Sequence, residues 1–151
     1  MAECITDSQD EQNMDDLLRD ADQVHIPIFQ RAYVWKKKQL EELLTDIEQV
    51  VSEVEDTQFL GAVVAYEKPR IGKISGRLKA LAVVDGQQRL LTLHIFVMAI
   101  AQCMAAIDKE EAFEIVRAYL LLAPRKGMEV NTRVVPAFVD RSQFHAGTPT
   151  V

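Results

Sequence analysis

The 151 residues can bury the core of one domain, and 48% hydrophobic with 26% charged residues is the balance of an ordinary globular protein. A net charge of −6 argues against nucleic-acid binding by the whole surface, though a local basic groove stays open. Two cysteines without disulfide or metal spacing fit a reducing cytoplasm, the acidic N-terminus does not read as a secretory signal, and the apolar run 90–104, broken by Thr92, His94 and Gln102, is too short and polar for a membrane span.

Residues 1–13 are acidic and polar and read as a flexible leader. A short helix is expected over 14–22, anchored by Leu17 and Leu18. Val24-His25-Ile26-Pro27-Ile28-Phe29 alternates and then meets proline, which puts it at a sheet edge or a strand end. Gln30-Arg31-Ala32-Tyr33-Val34-Trp35 follows. Composition alone favours Phe29, Tyr33 and Trp35 as core residues, although aromatics beside an arginine also suit a pocket. Over 36–54, Leu40, Leu43, Leu44, Ile47, Val50, Val51 and Val54 recur at spacings of three and four, the signature of one apolar helical face. Lys36, Lys37 and Lys38 open that helix at the wrong end of its dipole and read as a solvated turn; the functional alternative is a basic lip.

A strand is expected over 59–66, with Gly61 marking a bulge or a close backbone approach. A basic hairpin-like connection over 67–77 leads to a second strand over 78–84. From about Gln87 to Ile107 apolar residues occupy almost every face, which predicts a central buried helix, with His94 as a satisfied core histidine. A third helix over 109–122 should turn Phe113, Val116, Tyr119 and Leu120 to one side. Val130–Val139 reads as a strand interrupted at Pro136, Asp140–Phe144 as the start of a helix, and 147–151 as a flexible tail. The whole reads as one domain over 14–146, truncated at its C-terminal end.

The stretch Ala82-Val83-Val84-Asp85-Gly86-Gln87-Gln88-Arg89-Leu90-Leu91-Thr92-Leu93 organises the rest. A β-branched run ends on an acid and a glycine, then passes directly into the longest helical pattern. Unpaired backbone N–H groups at such a helix start favour an anion, above all a phosphate. Gln87 and Gln88 can donate or accept, and Arg89 can fork onto phosphate oxygens.

Two stretches carry a family resemblance. Ile26-Pro27-Ile28-Phe29-Gln30-Arg31-Ala32-Tyr33-Val34-Trp35 matches an I-P-x-(F/Y)-Q-R-x-Y-x-W pattern, and Val84-Asp85-Gly86-Gln87-Gln88-Arg89-Leu90-Leu91-Thr92-Leu93 matches D-G-Q-Q-R-L-x-T-L. With Phe59-Leu60-Gly61 between them, they resemble the N-terminal domain of GmrSD-type restriction endonucleases, related to the ParB/sulfiredoxin-like fold. The resemblance implies an α+β fold: a small mixed sheet packed against helices, with a central buried helix after the D-G-Q-Q-R turn. It also implies a domain that binds and hydrolyses nucleoside triphosphates with a divalent cation, gating a nuclease in restriction and phage defence. That nuclease, an HNH-type domain or subunit, is expected elsewhere, since the three histidines here are scattered. Some members also sense modified DNA.

On that resemblance, Asp85, Gln87 and Arg89 are the catalytic candidates. Gln30, Arg31, Tyr33, Trp35, Gly86, Gln87, Gln88 and Arg89 are the nucleotide- and phosphate-binding candidates, with Asp85 holding Mg2+ or orienting the attacking water. There is no G-x-x-x-x-G-K-[ST] loop, so a P-loop fold is not expected. A local Asp85–Arg89 ion pair is the structural alternative. A DNA-binding or partner-docking module with a vestigial nucleotide site is the functional one, drawing on Lys36–Lys38, the basic loop 68–79 and Arg125–Lys126. A ParB-like nuclease or a sulfiredoxin-like phosphotransfer enzyme is a third reading; no suitably placed cysteine supports the latter.

Overall fold

A strand of only three residues, β1 (Gln23–His25), lies inside the sheet of the computed structural model, which describes residues 23–52, 61–67, 80–122 and 132–146. After β1 come α1 (Lys37–Val51), β2 (Val64–Glu67), β3 (Ala80–Asp85), α2 (Gln87–Met104), α3 (Lys109–Ile115), β4 (Val134–Val135) and α4 (Arg141–Ala146). The strand order is β2-β3-β1-β4: β1 runs parallel to β3 and β4, and β2 pairs antiparallel with β3. This is the mixed α+β architecture of the ParB-like kind, a small mixed sheet with helices packed against it. The expected helix over 14–22, the leader, the tail and the basic loop 68–79 lie outside the described residues.

Proline ends β1 rather than confining it to an edge. Pro27 has no N–H to give, and the chain turns there, with the Gln30 amide donating to the Pro27 carbonyl at 3.1 Å. Upstream of it, Val24 and Ile26 donate to the carbonyls of Arg133 and Val135. Val24 and Ile26 then bury with Val83, Leu90, Leu91, Val134, Ala137 and Phe144 in the main core. β2 is shorter than expected. Gly61 takes φ +87°, outside the strand region, and pairing with β3 begins only at Val64, with a register shift between Val64 and Ala65.

At Gly86 the chain turns from β3 into α2 with φ +88°, a backbone that side chains rarely adopt. A Cβ there would also stand 3.0 Å from the Ala62 carbonyl oxygen. α2 is buried all round only at its start, where Leu90, Leu91, Thr92, Leu93 and His94 are covered. Further along, Ile95, Ile100 and Cys103 are exposed, because α3 and the turn after it cover one side only, through Met98, Ala101, Val116 and Leu120. His94 is a core residue stacked on Phe144, with ring centroids 5.1 Å apart. It is not the satisfied histidine expected: its Nε2 is buried without a hydrogen-bond partner, and burial pushes its pKa down from 6.5 to about 4.

α3 starts on Asp108, whose carboxylate accepts from the Glu111 amide at 3.0 Å. It widens into a π-turn over Val116–Leu120, closed by the Leu121 amide on the Val116 carbonyl five residues back. The buried stripe is therefore Ala112, Val116 and Leu120; Phe113, expected with them, lies a residue round the helix and is exposed. Among the described residues no helix is long and apolar enough to cross a membrane.

Candidate functional site

The segment after Pro27 is laid across the start of α2 and fastened there by side chains. Gln88, only 5% exposed, uses its whole amide: Oε1 accepts from the Val34 amide at 2.8 Å, and Nε2 donates to the Ala32 carbonyl at 3.1 Å. The Thr92 hydroxyl donates back to the Gln88 carbonyl at 2.8 Å, so its lone pairs are left to accept the Tyr33 hydroxyl at 2.7 Å. The Tyr33 amide donates to the Asp140 carboxylate at 3.2 Å. Gln30 Nε2 donates to the Val84 carbonyl at 2.9 Å, tying the segment to the end of β3 as well.

Held this way, the segment and the first turn of α2 enclose a hollow of about 170 Å³, lined by Arg31, Trp35, Asp85, Gly86, Gln87, Gln88 and Arg89. The two halves of the site come from residues fifty or more apart in sequence. No side chain caps α2, and its first residues, Gly86, Gln87, Gln88 and Arg89, line this hollow. Gln87 is 6% exposed, as deeply placed as Gln88, yet its amide has no partner among the described residues. Neither Arg31 nor Arg89 is ion-paired among the described residues. The alternative of an Asp85–Arg89 pair is not what the structure adopts. Asp85 instead accepts the Gly86 amide on Oδ1 at 2.8 Å and leaves its second oxygen uncommitted at an exposed rim.

Arg89 is fixed by contact rather than by charge. A Cβ on Gly61 would lie 2.6 Å from Arg89 Nη1 and 2.7 Å from Cζ, so the guanidinium rests on the bare glycine backbone. Gly61 thus belongs to the site, and its positive φ and its lack of a side chain serve the same end. Beyond Arg89 a second hollow of about 260 Å³ opens, lined by Trp35, Gln39, Glu42, Leu43, Asp46, Gly61 and Arg89. Gln39, Glu42, Leu43 and Asp46 were not among the sequence candidates. Their spacing of three, four and seven along one face of α1, starting just after Trp35, is the signal that finds them.

Of the candidates, Arg31, Trp35, Asp85, Gly86, Gln87, Gln88 and Arg89 meet at the first hollow, while Gln30 and Tyr33 brace its walls. Phe29 is 75% exposed, and the reading of it as core does not hold. Lys37 and Lys38 lie in exposed pairs with Glu41 and Glu42 at 3.3 and 3.7 Å, as a solvated turn would. The basic loop 68–79 and Arg125–Lys126 lie outside the described residues.

For a divalent cation the donor set is open rather than closed. Among the described residues no three His, Cys, Asp or Glu side chains converge on one point. Magnesium does not need such a cluster, since it keeps several waters and takes one or two carboxylates alongside phosphate oxygens. Asp85, with one free oxygen beside two arginines, is such a carboxylate.

A search of curated proteins finds no match to the chain. The family model of the GmrSD restriction endonuclease N-terminal domain matches residues 14–140, a span that takes in β1, both glycine turns and every residue lining the two hollows. The chain belongs to the family of GmrSD restriction endonuclease N-terminal domains, and so to the setting of DNA restriction.

Proposed function

We propose that this domain binds a nucleoside triphosphate at the start of α2, hydrolyses it, and through that cycle gates a nuclease carried elsewhere in the restriction system. The observation that carries the reading is the convergence on one hollow of two arginines and the Gln87 amide, all without a partner among the described residues, with an uncapped helix N-terminus. A bound polyanion is the partner that would satisfy Arg31, Arg89 and Gln87 together.

Arg31 and Arg89 hold the phosphate oxygens from two sides, with forks that match their geometry. The first N–H groups of α2 add donors along the helix dipole. Gln87 donates to a phosphate oxygen or to the attacking water, and Asp85 orients that water or anchors the hydrated cation. Magnesium, when bound, supplies charge neutralisation across the phosphates. Phosphoryl transfer asks mainly for positioning and charge stabilisation, and these residues provide both.

Calorimetric titration with the four ribonucleoside triphosphates, with and without magnesium, tests the binding. Arg89→Ala is expected to weaken it by roughly 10- to 100-fold, the worth of a charged hydrogen-bonding pair. Asp85→Ala is expected to leave a folded protein without turnover. Salt-dependent DNA binding indifferent to nucleotide, with no titration signal from any triphosphate, would instead favour a docking module.

A further inference from the structure

We infer that the second hollow, beyond Arg89, is the seat of the nucleoside half of the ligand, with Trp35 as its wall and Asp46 as the acceptor for its O–H or N–H donors. This rests on the phosphate reading of the first hollow and deepens it by assigning the other end of the molecule.

The two hollows share Trp35 and Arg89 and differ in sign. On one side of Arg89 stand Arg31 and the open helix start; on the other stand Glu42 and Asp46. A chain of phosphates cannot continue past Arg89, because it would bring its own negative charge against two carboxylates. A neutral group with hydrogen-bond donors can, since a carboxylate is an acceptor only. Glu42 already lies 3.7 Å from Lys38, whereas Asp46 has no hydrogen bond or ion pair among the described residues and is only half-exposed. Trp35 offers a flat aromatic surface, Leu43 an apolar one, and Gln39 an amide.

The ligand that fits both hollows is therefore anionic at one end and planar, donor-bearing and neutral at the other. That describes a nucleotide. It does not describe an inorganic polyphosphate, nor a DNA backbone whose charge repeats at every step. Arg89 lines both hollows, and its guanidinium rests on the bare backbone of Gly61.

The test compares inorganic tripolyphosphate with ribonucleoside triphosphates by calorimetry on the full 151-residue chain. The wild-type protein is expected to bind at least one nucleotide about tenfold or more tighter than tripolyphosphate, the worth of one or two added contacts. Asp46→Asn, checked for an unchanged circular dichroism spectrum, should erase that preference and leave tripolyphosphate binding as it was; Trp35→Leu, at a wall the two hollows share, should lower nucleotide binding by more than tripolyphosphate binding. Glu42→Gln gives a second variant, on the exposed side of the same face, should Asp46→Asn fail to fold. An Asp46 effect that vanishes with 2′- or 3′-deoxynucleotides assigns the donor to the sugar; one that persists there and varies with the base assigns it to the base edge. Equal binding of tripolyphosphate and all nucleotides, untouched by these variants, would overturn the inference and leave the phosphate site standing. No binding of either ligand would overturn the phosphate reading itself.

Discussion

The first turn of α2 serves two regions in opposite ways. On the side of Ala32–Val34, Gln88, Thr92 and Tyr33 form a closed chain of hydrogen bonds in which each donor and acceptor has its place. On the side of Arg31 and Trp35, Gln87 and Arg89 have no hydrogen-bonding or ionic partner among the described residues. Gln87 and Gln88 are neighbours of the same type and depth, 6% and 5% exposed, so neither chemistry nor burial separates them. What separates them is whether the backbone reaches across. The satisfied region holds the strand-end segment in place, and the unsatisfied region is where the proposed ligand would bind.

Replacing both glutamines in turn by methionine, similar in size and without the amide, breaks the comparison most directly. Gln88→Met leaves the Val34 N–H and the Ala32 carbonyl without their partner at a part-buried seam. Two such losses cost roughly 2–5 kcal/mol in total. Urea unfolding followed by circular dichroism should show the drop, and nucleotide binding should fall with it as Arg31 and Trp35 lose their support.

The packed side of α2 has its own signature in pH. His94 is 2% exposed and protonates only near pH 4 in the folded chain, against an ordinary 6.5 when unfolded. Between those two values the unfolded chain binds the extra proton, so stability is fully present above about pH 6.5 and drains away as pH falls toward 4. The shift corresponds to about 3 kcal/mol. His94→Leu should flatten this part of the stability profile, measured by urea midpoints from pH 7 to pH 4. An unchanged slope would place the imidazole in a wetter site than its neighbours suggest.

Gly61→Ala joins the two regions. It strains a backbone at φ +87° and pushes the Arg89 guanidinium off its seat. About 1–3 kcal/mol of stability should go to the strain. Nucleotide affinity should fall as far as in Arg89→Ala, although the arginine is still there; crystallography of the variant would show it displaced.

Much of the fold was legible because local rules agreed. Val83 and its neighbours, then Gly86, then an apolar helix, could form little other than a buried strand and a core helix. The central place of β1 was not legible: its partners β3 and β4 lie far along the chain, and a three-residue strand gives little period to read. For the site, Arg89 could be named from its type and its place at a helix start, whereas Arg31 and Trp35 came from the family resemblance, composition alone favouring Trp35 as a core residue. The clamp made by Gln88 could not, since its partners are backbone groups with no sequence signature. Glu42 and Asp46 drew no reading of their own from the sequence, and only the passage of Arg89 beside α1 gives them a hollow to line.

The smallest effect on stability is the most informative. Gln87→Met removes an amide that makes no hydrogen bond among the described residues, so the usual cost of losing one does not arise. Stability should move by less than about 0.5 kcal/mol, and toward greater stability if it moves, because an unpaired polar group is exchanged for an apolar one of like volume. Nucleotide affinity and turnover should nonetheless fall. That pairing, a protein as stable as before with a poorer site, separates a residue kept for a ligand from one kept for the fold. Were Gln87→Met to destabilise the chain as Gln88→Met does, the two glutamines would share one structural duty, and the contrast drawn from their hydrogen bonds would have no functional meaning.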